Sequence, residues 1–129
     1  MEIAAARYQT VQVTTSNPGD LLIALLDGLF KFLNQARTAL RNNALLTARK
    51  PINRSHAIVS ELYASLDHSQ APELCKNLEA VYGFCLDRIL YANLHNDPNA
   101  LDDVVRVLSP IREAFTTAVR SLSCEPHCR

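Results

Sequence analysis

The chain has no tryptophan, one methionine and only three glycines, Gly19, Gly28 and Gly83, among its 129 residues. So few glycines, with no long period-two alternation, argue against a turn-rich sheet protein. They also leave no glycine-rich loop to cradle a phosphate. Net charge is absent as well: thirteen basic and thirteen acidic residues cancel, so no basic excess points to nucleic acid or to an anionic membrane surface. Long apolar runs are missing too. The longest, Leu21 to Leu26, stops at Asp27 and is far too short to cross a bilayer, so no membrane insertion is expected. Without a basic start, an apolar h-region and a cleavage site, the chain reads as cytosolic.

Nor do the residues form a catalytic constellation, and we expect neither an enzyme nor a cofactor. The carboxylates are scattered, and Asp102 and Asp103 simply open a helix, where negative charge is favoured. The histidines, His56, His68, His95 and His127, lie far apart. A phosphotransfer bundle would carry Lys and Gly three and four residues after a helical histidine; after His56 stand Val59 and Ser60. Cys75 and Cys85 fall on one expected helix, about 15 Å apart by helix rise, too far to bridge. They read as small core residues. Cys124, His127 and Cys128 crowd the tail CEPHC, but a structural zinc site needs four ligands, usually with a second pair elsewhere. No metal is assigned, and the tail, residues 123–129, is expected to be exposed and flexible.

What is present is a set of helical stripes. The composition, 48% apolar and 20% charged, suits one domain with a folded core, and the whole chain, 1–129, is read as one domain. Apolar residues recur at steps of three and four along four segments. The first runs from Pro18 to about Arg41 and stops at Asn42–Asn43. The second, about Leu45 to Leu66, carries Leu45, Ala48, Ile52, Val59, Leu62 and Leu66 on its stripe. The third, Pro72 to about Leu94, carries Leu74, Leu78, Val81, Cys85, Ile89 and Ala92. The fourth follows Asp97–Pro98 with Leu101, Val104, Leu108, Ile111, Phe115, Ala118 and Leu122. Short links make consecutive helices antiparallel neighbours. The expectation is an all-α, antiparallel up-down four-helix bundle over 17–122. Pro51 and Pro110 interrupt two of the patterns, predicting a kink, or a late start of the second helix at Pro51.

The most distinctive stretch is YQTVQVTTSNPGDLLIALLDG, Tyr8 to Gly28. Asn17 stands at an N-cap position, Pro18 at the first helical position and Asp20 at the third, each suited to a helix start. Leu21, Leu22, Ile23, Leu25, Leu26, Leu29, Phe30, Phe32 and Leu33 then leave almost no polar face. Such a helix is buried on several sides or waits for a partner.

Three motifs carry a resemblance. Tyr8, Val13, Thr15, Pro18, Leu21, Leu25, Asp27 and Gly28 stand at the spacing of the N-terminal signature of the flagellin export chaperones, the FliS family. VYGFCLDRILYANLHND resembles that family's central segment through Tyr82, Phe84, Arg88, Ala92, Asn93, Asn96 and Asp97. IREAFTTAV resembles its last helix, with Phe115 at a position where tryptophan is usual. Gly83 and Asp87 depart from the pattern, which commonly has aspartate and a basic residue there.

The resemblance implies a four-helix bundle that binds the disordered C-terminal segment of flagellin, blocks premature polymerisation and presents its client to the gate of the flagellar type III export apparatus. It also implies that the extended leader, residues 1–16, covers an apolar groove and is displaced by the client. On that reading Tyr8, Val11 and Val13 form the latch, and Leu22, Ile23, Leu26, Leu29 and Phe30 the groove. Other flagellar proteins as partners, and a homodimer, stay open. So does a different class: a generic helical adaptor, or a metal- or redox-responsive bundle using the cysteines.

Overall fold

The computed structural model describes residues 17–124, which form four α-helices and no strand. They are α1 (Pro18–Arg41), α2 (Leu45–Ala64), α3 (Pro72–His95) and α4 (Pro98–Cys124). The expected boundaries agree to within a couple of residues. The architecture is an all-α four-helix bundle.

The local signals act as their chemistry requires. Asn17 Oδ1 accepts the backbone N–H of Asp20 at 2.8 Å, and Asn17 Nδ2 donates back to Asp20 Oδ2 at 2.8 Å. This reciprocal cap satisfies an orphan donor and fixes the entry of the chain. α1 ends where Asn43 takes a left-handed backbone, φ 58°, and Ala44 N–H bonds Ala39 C=O at 2.8 Å. α3 ends the same way at Asn96, φ 53°. Asparagine tolerates this region better than other non-glycine residues, which is why both helices stop there. Asp97 Oδ1 then accepts Asn99 N–H at 2.9 Å and opens α4.

The late start of α2 at Pro51 does not occur. The helix begins at Leu45 and runs through Pro51, which is buried. The N–H that proline lacks would have bonded the Thr47 carbonyl, and Thr47 is exposed, so water can satisfy it. α4 likewise continues through Pro110.

By its internal packing the chain divides into two compact units. The larger, Leu29–Ser109, holds the end of α1, all of α2 and α3, and the start of α4. Its core includes Leu33, Ala48, Ile52, Val59, Tyr82, Cys85, Ile89, Leu101, Val104 and Leu108, each nearly or wholly enclosed. Ser55 is buried among them and donates to the Pro51 carbonyl at 2.9 Å. Polar clasps surround this core. Arg37 donates to Asp102 at 2.9 Å, and Arg41 binds the other oxygen of the same carboxylate, joining the end of α1 to the start of α4. Arg49 Nη1 donates to both the carbonyl and the side-chain oxygen of Asn93, at 2.6 and 2.7 Å, and Nη2 reaches Asn96. One guanidinium thus ties the first turns of α2 to the last turn of α3. Arg88 Nε stands 3.3 Å from Asp103, joining α3 to α4.

The smaller unit takes in Met1–Gly28 and Pro110–Arg129. Within its described part, the first turn of α1 lies against the last turns of α4: a Cβ on Gly19 would come within 3.1 Å of both Val119 methyls. Asp27 and Arg112 pair at 2.6 Å.

The apolar stripes differ from expectation at their ends. Leu45 and Leu74 are exposed rather than core, and one position after Leu74 it is Cys75 that is buried. On α4, Ala118 and Leu122 are exposed. Helix ends have fewer neighbours, and a stripe read at constant period drifts from the true contact line there.

Candidate partner-binding surface

The saturated apolar character of α1 resolves mostly into burial. Leu26 and Leu29 have no exposed surface, and Phe30, Phe32 and Leu33 are buried as well. Arg54 of α2 lays its guanidinium over the Phe32 ring, 5.5 Å from the centroid. Of the two readings of an all-round apolar helix, burial on several sides holds for these residues. Leu22 and Ile23 are different: both are half-buried, as are Leu21 and Leu25. Among the groove residues expected from sequence, only Leu22 and Ile23 thus offer apolar surface in this state, while Leu26, Leu29 and Phe30 are enclosed. The latch residues Tyr8, Val11 and Val13 lie outside the described residues.

Chemistry at the cysteines and histidines is muted. Cys75 and Cys85 are free and buried, as expected. Burial pushes the Cys85 thiol up to about 12, so it stays protonated at neutral pH and is a poor nucleophile. Its neighbour Tyr82 is pushed up to about 12, chiefly by burial. Cys75 Sγ donates to the Asp67 carbonyl at 3.3 Å. His56 is exposed, with Ser60 Oγ 3.4 Å from its Nδ1. Among the described residues no three His, Cys, Asp or Glu side chains converge as a metal site. The tail ligands His127 and Cys128 lie outside those residues. No described helix is long and apolar enough to cross a membrane.

The residues that carry the three sequence motifs are largely architectural. Asp27 of the first motif pairs with Arg112 of the third. Arg88, Asn93, Asn96 and Asp97 of the second respectively pair with Asp103, anchor Arg49, terminate α3 and cap α4. Sequence reading missed Arg49 altogether, since nothing in its spacing announces a partner on another helix. It also missed an exposed apolar row on α3, whose members include Phe84, Tyr91 and Leu94. The buried stripe on the other side of that helix dominates the pattern.

Comparison with known proteins agrees with this reading of the motifs. The profile of the family described as flagellar protein FliS matches residues 1–122. The flagellar secretion chaperone FliS of Bacillus subtilis (strain 168) is 28% identical over 120 residues, covering 93% of this chain and 89% of that protein. Its counterpart from Salmonella typhimurium is 32% identical over 104 residues, covering 80% and 77%. The flagellar secretion chaperone FliSB of Pseudomonas aeruginosa is 30% identical over 116 residues, covering 87% and 92%. A crystal structure of a bacterial flagellar chaperone superposes with a TM-score of 0.75 at 19% identity, over 93% of this chain and 98% of the other, and so shares the fold. With its caps, its clasping motif residues and its helix order all accounted for, the chain belongs to the FliS family of flagellar secretion chaperones.

Proposed function

We propose that this protein is a cytoplasmic export chaperone, neither enzyme nor cofactor protein, that holds the C-terminal segment of flagellin until secretion. The observation that carries this reading is the family match, which runs from the leader through α4, residues 1–122. The client segment is disordered before assembly, and ordering it costs about 2–5 kcal/mol, so its binding needs a broad apolar surface. Helix-in-groove docking supplies one.

Leu22 and Ile23 are the accessible part of that surface in the state described here. We include Leu26, Leu29 and Phe30 in the proposed surface although all three are enclosed in this state, so the client reaches them only once that packing opens. Tyr8, Val11 and Val13 act as the latch, keeping the empty surface from associating with unrelated apolar chains. The loaded complex is then handed to the export gate. In this reading residues 1–129 act as one domain, with 1–16 as the latch and 123–129 as an appended tail.

Isothermal titration with a synthetic C-terminal flagellin segment, under reducing conditions with chelator, tests the proposal. We expect one-to-one binding, a negative heat-capacity change and a gain in helicity. Leu22→Asp weakens binding, whereas Tyr8→Ala strengthens it by removing a competitor. A folded protein that fails to bind this segment, or whose affinity ignores both substitutions, overturns the proposal.

A further inference from the structure

α3 is apolar on two opposite sides. One is the core face of Cys75, Leu78, Tyr82, Cys85, Ile89 and Ala92. The other is a solvent-facing row, Ala80, Phe84, Asp87, Tyr91 and Leu94, at alternating steps of four and three. That is the seam spacing of a coiled-coil helix. The exposures are large: 43% for Phe84, 41% for Tyr91 and 70% for Leu94, with Leu90 beside them at 49%. Isolated surface leucines need no explanation, but an aligned apolar row over several turns does.

Two further features say what fits it. Gly83 lies at the edge of the row, and a Cβ built there meets nothing within 4 Å, so the backbone is open to close approach. Tyr91 is held ready: Arg88 lies over its ring at 4.7 Å, and His95 packs against it at 4.1 Å between centroids. A braced aromatic loses little freedom on binding and makes a good anchor. At the middle of the row stands Asp87, exposed, without a hydrogen bond or ion pair to any described residue. The adjacent Arg88 is committed to Asp103 and Tyr91.

From this juxtaposition we infer that the outer face of α3 docks an amphipathic helix of another protein, one with a Lys or Arg at the centre of its apolar stripe. A single charged residue in a seam costs stability and selects the partner that neutralises it. It also disfavours a second copy of this chain, because a two-fold pairing centred on the row sets Asp87 beside its own copy. The surface lies on a different helix from the α1 residues above and does not depend on that proposal.

The test uses the full-length chain and two synthetic helical peptides, each with a leucine seam, one with Lys and one with Glu at the central seam position. Fluorescence anisotropy should show about tenfold tighter binding of the Lys peptide, declining with salt. Asp87→Lys should invert the preference. Leu94→Glu, at a solvent-facing position that leaves folding intact, should abolish binding of both peptides. Equal binding of the two peptides, or a preference that survives Asp87→Lys, overturns the inference. So does a dimer in sedimentation that Leu94→Glu dissolves, since the row is then occupied by a second copy.

Discussion

Asp27 and Arg112 stand 85 positions apart in the chain, and their side chains meet at 2.6 Å. Each belongs to a sequence motif, one near the start and one near the end, and the pair joins α1 to α4 within the smaller unit. Both groups are partly exposed, so the bond orients more than it stabilises. Asp27→Ala should lower stability by less than about 1 kcal/mol. A double-mutant cycle in urea should return a coupling in that range, shrinking with added salt. A coupling several times larger would mean that the pair is desolvated beyond its present exposure.

Arg49 is a different case, because one guanidinium satisfies the end of a neighbouring helix. Arg49→Ala strips Asn93 and Asn96 of a charged donor and should cost about 1–3 kcal/mol. Arg49→Lys keeps the charge but not the planar fork, so most of that loss should remain. Urea denaturation followed by far-UV circular dichroism checks both. A lysine variant as stable as the parent would show that charge alone suffices.

Gly83 offers a gain rather than a loss. It lies inside α3, its φ is not positive, and an added Cβ meets open space. Gly83→Ala should therefore raise stability by about 0.5–1 kcal/mol through helix propensity. An unchanged or lowered denaturation midpoint contradicts this account of the position.

Acid should loosen the junction of α1 and α4 in the larger unit. Slight burial pushes the Asp102 carboxyl up, but hydrogen bonds and charge from Arg37 and Arg41 outweigh that and hold it below its ordinary value. A carboxylate lowered in the folded state adds stability that is fully present above the unfolded value of about 3.9. That contribution is lost as pH falls through the lower folded value. The stability gap between the parent and Asp102→Asn should be constant near neutrality and close in acid. A gap that persists at the lowest workable pH would assign the difference to something other than the charge.

The helices were legible in the sequence because their ends are written in local chemistry. Asn17, Pro18, Asn43, Pro72 and Asp97 act within one turn of themselves, so a linear reading finds them. Partnerships across helices are not local. The Arg49 clasp depends on which turn of α2 meets which turn of α3, and periodicity does not encode that. The burial of α1 was half legible for a related reason. An all-round apolar helix announces that it will be covered without saying by what, and Leu26 and Leu29 are enclosed where Leu22 and Ile23 are not. On α3 the loud buried stripe masked the quieter outer row.

The two thiols of α3 give this bundle a built-in clock. Cys75 and Cys85 are sealed in the interior a few turns apart, and burial keeps the Cys85 thiol protonated. An alkylating reagent can therefore reach Cys85 only in the moments when the surrounding core opens. Its labelling rate reports how often the larger unit breathes, with no engineered probe. A ligand that tightens that unit will register as a slower clock, whichever face it binds.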